Sequence, residues 1–196
     1  HLSEQQPVLV VNSIGMRMPT TSNADKVLAR VWRKAKSTLR YLRRPEPVSH
    51  PRMWVMTPVS VPVFSHDRLR RINSRLVAAQ VRLVSRWVAK ITDPTVIVVV
   101  PTALEVVRAM GREADVYYRA DDHAATDGVD HELIHRLESD LMRTSRLTCW
   151  SSRALMEAEA DRPCRRRMLL DHGVEVDHFD RSKVLTEPAA VASIPH

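Results

Sequence analysis

Short apolar runs alternate with amphipathic stretches along most of the chain. Val8-Leu9-Val10-Val11, Met53-Trp54-Val55-Met56, Val96-Ile97-Val98-Val99-Val100, Val116-Tyr117-Tyr118, Leu147-Thr148-Cys149-Trp150 and Met168-Leu169-Leu170 have strand length and are bounded by polar residues, proline or glycine. Unbroken apolar runs read as strands of a buried parallel sheet, and residues 96–100 form the clearest of them. Helical spacing fills the intervals. It predicts helices over 25–42, 68–91, 101–110 and 129–142, and one capped by Ser151 or Ser152 that runs to 160. Gly111 is expected to cap the helix before it, and Gly173 to hold an unusual backbone conformation where the last strand meets a turn.

Strand–helix alternation of this kind predicts an α/β fold, a doubly wound, Rossmann-like parallel sheet with right-handed crossovers. One domain is expected over 1–180. Beyond Asp180 periodicity is lost, and 181–196 reads as a linker or tail. Ligands of such sheets sit outside the carboxyl ends of the strands. Those ends are Asn12-Ser13, Thr57-Pro58, Pro101-Thr102, residues 119–123, Ser151-Ser152 and Asp171-His172-Gly173.

Composition changes this picture little. At 196 residues, with 44% hydrophobic and 27% charged positions, the chain suits one soluble globular domain. No apolar run reaches the roughly 20 residues of a membrane-spanning helix. The start His1-Leu2-Ser3-Glu4 lacks the basic and apolar regions of a signal peptide and an initiator methionine, so a chain clipped at its front is expected. Cys149 and Cys164 form no C-x-x-C pair. Cys149, inside an apolar run, reads as a small core residue, and a reducing cytoplasmic setting follows. A net charge of +7 points to anionic partners without choosing among them. The four glycines form neither G-x-G-x-x-G nor a P-loop, which removes sequence support for dinucleotide or P-loop nucleotide binding.

Two constellations carry chemistry. His131-Glu132-Leu133-Ile134-His135 matches the H-E-x-x-H zinc motif, with both imidazoles on one helix face and Glu132 as base. Its surroundings fit poorly. Ile134, Leu137 and Leu141 make the buried stripe, the histidines lie to its side, and Arg136 follows where a zinc helix wants an uncharged residue. A zinc hydrolase is one alternative class, and a basic nucleic-acid or membrane-surface binding module is the other. Asp121-Asp122-His123 closes a strand. Two carboxylates and an imidazole there can orient sugar hydroxyls or move protons, or they can form an Asx turn with capping residues.

Residues 116–130, with Asp121-Asp122-His123 and Gly128-Val129-Asp130, resemble a V-Y-x-x-V-D-D-Y-x-A-x-P-G-V-D passage in a bacterial branch of retaining GT-B glycosyltransferases, the large family four. Residues 170–179, with His172-Gly173-Val174 and Phe179, resemble that family's P-N/H-G-V-D-x-x-x-F signature. Cys149-Trp150-Ser151-Ser152-Arg153-Ala154-Leu155 is similar to its A-T-S-x-A-L step, and residues 10–17 and 53–62 are similar to the same branch. Five matches in one order span nearly the whole chain. His123 stands in place of an aromatic residue and Asp171 in place of proline. The resemblance implies the N-terminal, acceptor-side domain, with Val8–Val11 as its second strand, and with the first strand and helix and the C-terminal donor domain missing. Asp121, Asp122 and His123 would line the acceptor pocket, and Asn12, Ser13, Ser151, His172 and Gly173 would border the cleft. The acceptor would be a glycan or a lipid-linked sugar. The nucleotide-sugar would bind the missing domain, so no cofactor or metal is expected here, and no catalytic residue is assigned.

Residues 26–44 add a basic stretch in which Arg30, Arg33, Lys34, Lys36, Arg40, Arg43 and Arg44 interleave with Val27, Trp32, Leu39 and Leu42. From Lys26 to Arg44 this reads either as a helix lying on an anionic membrane surface or as a core-packed helix with solvated arginines. With the first reading the protein is cytoplasmic and peripheral at the inner face of the membrane. No nucleic-acid motif accompanies the charge, and no nucleic-acid partner is expected.

Overall fold

The computed structural model describes residues 2–12, 52–60, 67–171 and 173. The expected basic helix at 25–42, Ser13, His172 and the tail at 181–196 lie outside them. In chain order the elements are α1 (Leu2–Gln5), β1 (Val8–Val11), β2 (Met53–Met56), α2 (Asp67–Trp87), β3 (Ile97–Val98), α3 (Ala103–Ala109), β4 (Val116–Arg119), a 3-10 turn (His123–Ala125), α4 (His131–Thr144), β5 (Leu147–Trp150), α5 (Arg153–Ala158) and β6 (Arg167–Leu169).

All pairings are parallel. β1 pairs with β2 in one two-stranded sheet, and β3-β4-β5-β6 form a second, four-stranded sheet. The α/β class with parallel strands is therefore observed. The single doubly wound sheet is not: the four strands run in sequence order, and the order never reverses within that ladder.

The two faces of the larger sheet differ. In-register positions share a face, so Val98, Tyr117 and Thr148 lie together, and so do Arg119 and Trp150. This face is dry. It packs on the apolar stripe of α4 through Leu133, Leu137 and Leu141, and on Leu104 and Val107 of α3. Burying such a cluster is the main stabilising term, about 25 cal/mol per Å² of apolar surface. The opposite face carries Ile97, Val116, Tyr118, Leu147 and Met168, and it is half open. The run 96–100 is thus corrected: only Ile97–Val98 join the ladder, and Ile97 is 53% exposed. It sits at the end of the sheet, where alternation leaves every second side chain on the open face.

A second apolar cluster joins the smaller sheet to the helices. Leu9 and Met56 pack with Val77, Ala78, Val81 and Val84 of α2 and Val106 of α3. Helix α3 therefore serves both clusters, and Arg70 of α2 clamps it through Glu105 at 2.6 Å.

Helix ends follow local chemistry. Asp130 caps α4 by accepting from the Leu133 amide, and Ser152 caps α5 by accepting from Leu155. Gly111 ends α3 with φ at +66°, as its position predicts. Gly173 does not follow suit. It stays out of the left-handed region, and a Cβ there would meet none of the described residues.

Candidate functional site

The carboxyl ends of β4 and β5 bring four of the expected site residues together. Asp121, Asp122 and His123 leave β4 in one turn, and the Ser151 hydroxyl donates to the Ala120 carbonyl at 2.8 Å from the end of β5. Asp121 Oδ1 accepts from the Asp122 amide at 2.8 Å, a local Asx-type contact. The Asp122 carboxylate caps no helix and instead faces Arg119 at 3.3 Å. Both aspartates are exposed. His123 is half-buried, with Nε2 3.0 Å from the Val99 carbonyl at the end of β3. A carbonyl only accepts, so Nε2 carries the hydrogen and Nδ1 of the neutral ring is left as an acceptor. Burial lowers the His123 pKa against the pull of that carbonyl, which favours the neutral ring.

Asn12 lies elsewhere. At the end of β1 its amide donates to the Thr57 hydroxyl at 2.8 Å, beside the end of β2. Gly173 is exposed beyond β6.

Beneath the turn lies a charged network that sequence reasoning missed. Arg119 is 2% exposed and points into the dry face of the sheet, because alternation from the buried Tyr117 puts it there. It bonds the fully buried Glu138 of α4 through Nη1. It also bonds Glu159, just beyond α5, through Nη2 at 2.9 Å. Glu159 further accepts from Trp150 Nε1 at 2.8 Å and from Arg162 at 2.6 Å. Arg119 Nη1 also donates to the Asp121 carbonyl. The guanidinium therefore ties the exposed turn to three elements.

The network tunes its own members. Burial pushes the Glu138 carboxyl up to about 7 against the pull of Arg119 and Arg162. Among the described residues its Oε2 has no hydrogen-bond partner, and Arg162 Nη1 lies 3.9 Å from it. Burial also acts on Glu159, but hydrogen bonds from Arg119 and Trp150 outweigh it and hold that carboxyl below its ordinary value. Burial alone would weaken the charge of Arg119; the Glu159 hydrogen bond and its neighbours raise its pKa instead. Two signals in the sequence could have found this: Arg119 shares the buried parity of Tyr117, and Glu138 falls within the stripe Ile134, Leu137, Leu141.

The zinc constellation does not assemble. His131 bonds the Ala124 carbonyl through Nδ1, and both histidines and Glu132 face solvent. Among the described residues, no three His, Cys, Asp or Glu side chains converge on a metal position. A cavity of about 310 Å³ opens elsewhere, beside Arg82, Arg86, Pro94 and Arg112. Pro94 precedes β3, so this cavity lies at the opposite end of the strands from the turn.

The fold and site define a parallel α/β protein with an acidic turn held on a buried ion network. No family model, curated protein or solved structure matches the chain.

Proposed function

We propose that the chain is the acceptor-side half of a retaining GT-B glycosyltransferase, binding a glycan or lipid-linked sugar for transfer from a nucleotide-sugar held by a second domain. One observation carries the reading: β1 and β2 pair with each other and stay apart from the β3–β6 ladder. In a doubly wound sheet of order 3-2-1-4-5-6, the first strand lies between the second and the fourth. If Val8–Val11 is the second strand, the position between β1 and β3 belongs to the first. A split between the two sheets at that position supports the reading.

The turn after β4 suits the task. Asp121 and Asp122 offer acceptor oxygens for sugar hydroxyls, and His123 Nδ1 offers a neutral acceptor beside them. Arg119 is a positioning residue that fixes the turn from below. Binding and orientation are the roles of this chain, and no covalent step is assigned to it. The basic stretch from Lys26 to Arg44 would add anionic-membrane contact for a lipid-linked acceptor.

The test is a titration of isotope-labelled protein with a panel of mono- and disaccharides, read by amide chemical shifts. Shifts should concentrate at 119–126 and 151–152 and vanish in Asp122→Ala. Tight binding of a nucleotide-sugar with turnover, or stoichiometric zinc in tag-free protein, overturns the reading.

A further inference from the structure

Helix α2 has a second apolar face that the core does not use. One side buries Asn73, Ser74, Val77, Ala78, Val81, Val84 and Ser85. On the other, Leu69, Ile72, Leu76, Leu83 and Trp87 are exposed, with Leu83 at 61% and Trp87 at 68%. At 100° per residue these five fall in one stripe running about 27 Å along the helix. Beside it, on one flank, Arg68, Arg71, Arg75, Arg82 and Arg86 are exposed as well. Among the described residues Arg70, turned toward the core, pairs with the carboxylates of Asp67 and Glu105. A cavity opens beside Arg82 and Arg86 past the end of the helix, where Arg112 is paired with Asp93 at 2.9 Å.

We infer that this face of α2 docks on an anionic lipid surface, its apolar stripe in the headgroup–acyl boundary and its arginines on lipid phosphates. Charge selects the occupant. A second copy packed antiparallel along the stripe would set two rows of arginines against each other. Residues 26–44 are themselves basic and would be repelled by the same flank. A nucleic acid would engage the arginines and leave five large apolar side chains in water. An anionic bilayer satisfies the apolar stripe and its basic flank at once, as amphipathic interfacial helices do. The inference concerns α2 and does not rest on the glycosyltransferase reading.

Flotation of the full chain with phosphatidylcholine vesicles, with and without phosphatidylglycerol, tests it. Wild type should float with the anionic vesicles alone and dissociate as salt is raised. Leu76→Glu with Leu83→Glu, and separately Arg75→Glu with Arg82→Glu and Arg86→Glu, should each weaken binding by at least about tenfold, since each basic residue near the surface adds roughly fivefold. Unchanged circular dichroism melts establish that these exposed substitutions leave the fold intact. Binding that survives both α2 variants but is lost in Arg40→Glu with Arg43→Glu overturns the assignment to α2. Retention of single-stranded RNA by wild type and by Leu76→Glu/Leu83→Glu alike, without flotation, also overturns it. So does a dimer dissolved by Leu83→Glu in protein that never floats.

Discussion

Arg119 and the arginines on the outer flank of α2 are the same residue under opposite conditions. Arg119 is stripped of water and held by Glu138, Glu159, Asp122 and a backbone carbonyl. Arg71 and Arg75 stand in water on a helix surface. A buried guanidinium without partners would cost several kcal/mol, so its surroundings have to be built around it. A solvated one costs almost nothing and leaves its charge free for an outside partner. Charge in this protein is therefore structural on the sheet and available on α2.

Removing Glu138 should break the buried side hardest. Glu138→Ala leaves Arg119 with a single buried carboxylate partner in the core, and the expected loss is about 3 kcal/mol in a denaturant titration. A loss below about 1 kcal/mol would show that water reaches the network and that the contrast with α2 is false.

The second expectation concerns pH. The folded state holds the Glu138 proton more tightly than the unfolded chain, with a value of about 7 against 4.5. Its contribution is therefore complete below about 4.5 and is lost as pH rises through about 7. Glu159 runs the other way, because its lowered value gives stability that is lost as pH falls. His123, also lowered, favours the fold as pH rises through the ordinary histidine range. The clean measurement is the difference between wild type and Glu138→Gln. Wild type should lose stability relative to the variant between roughly pH 5 and 8. Parallel curves would mean that Glu138 does not titrate in that window.

The smallest effect belongs to the open side. Arg71→Ala with Arg75→Ala should change stability by less than about 0.5 kcal/mol, measured by the same titration. A larger loss would mean that these arginines support the fold and are not free for a partner.

Much of the fold was legible from pattern alone. Six apolar runs became six strands, and the stripe Ile134, Leu137, Leu141 placed α4 correctly. The site was half legible. Asp121, Asp122, His123 and Ser151 meet because each closes a strand of one parallel ladder. Asn12 does not join them, since hydrogen-bonded pairing puts β1 in another sheet. Arg119 and Glu138 escaped because charged residues are read first as surface, and periodicity marks them as buried only when the neighbouring apolar positions are read as binding constraints.

Among the described residues the sequence by itself determined where the six strands and the helices α2 to α5 fall, and where α3 and α5 are capped, to within a few residues at their ends. These depend on neighbours within a turn or two, where spacing and capping chemistry act directly. Tertiary structure alone decided which strands pair, which face of the sheet stays dry, and that Arg119, Glu138 and Glu159, 19 and 40 residues apart along the chain, share one buried charge cluster. Pairing and burial depend on what arrives from distant parts of the chain, and a pKa depends on the water that such an arrival removes.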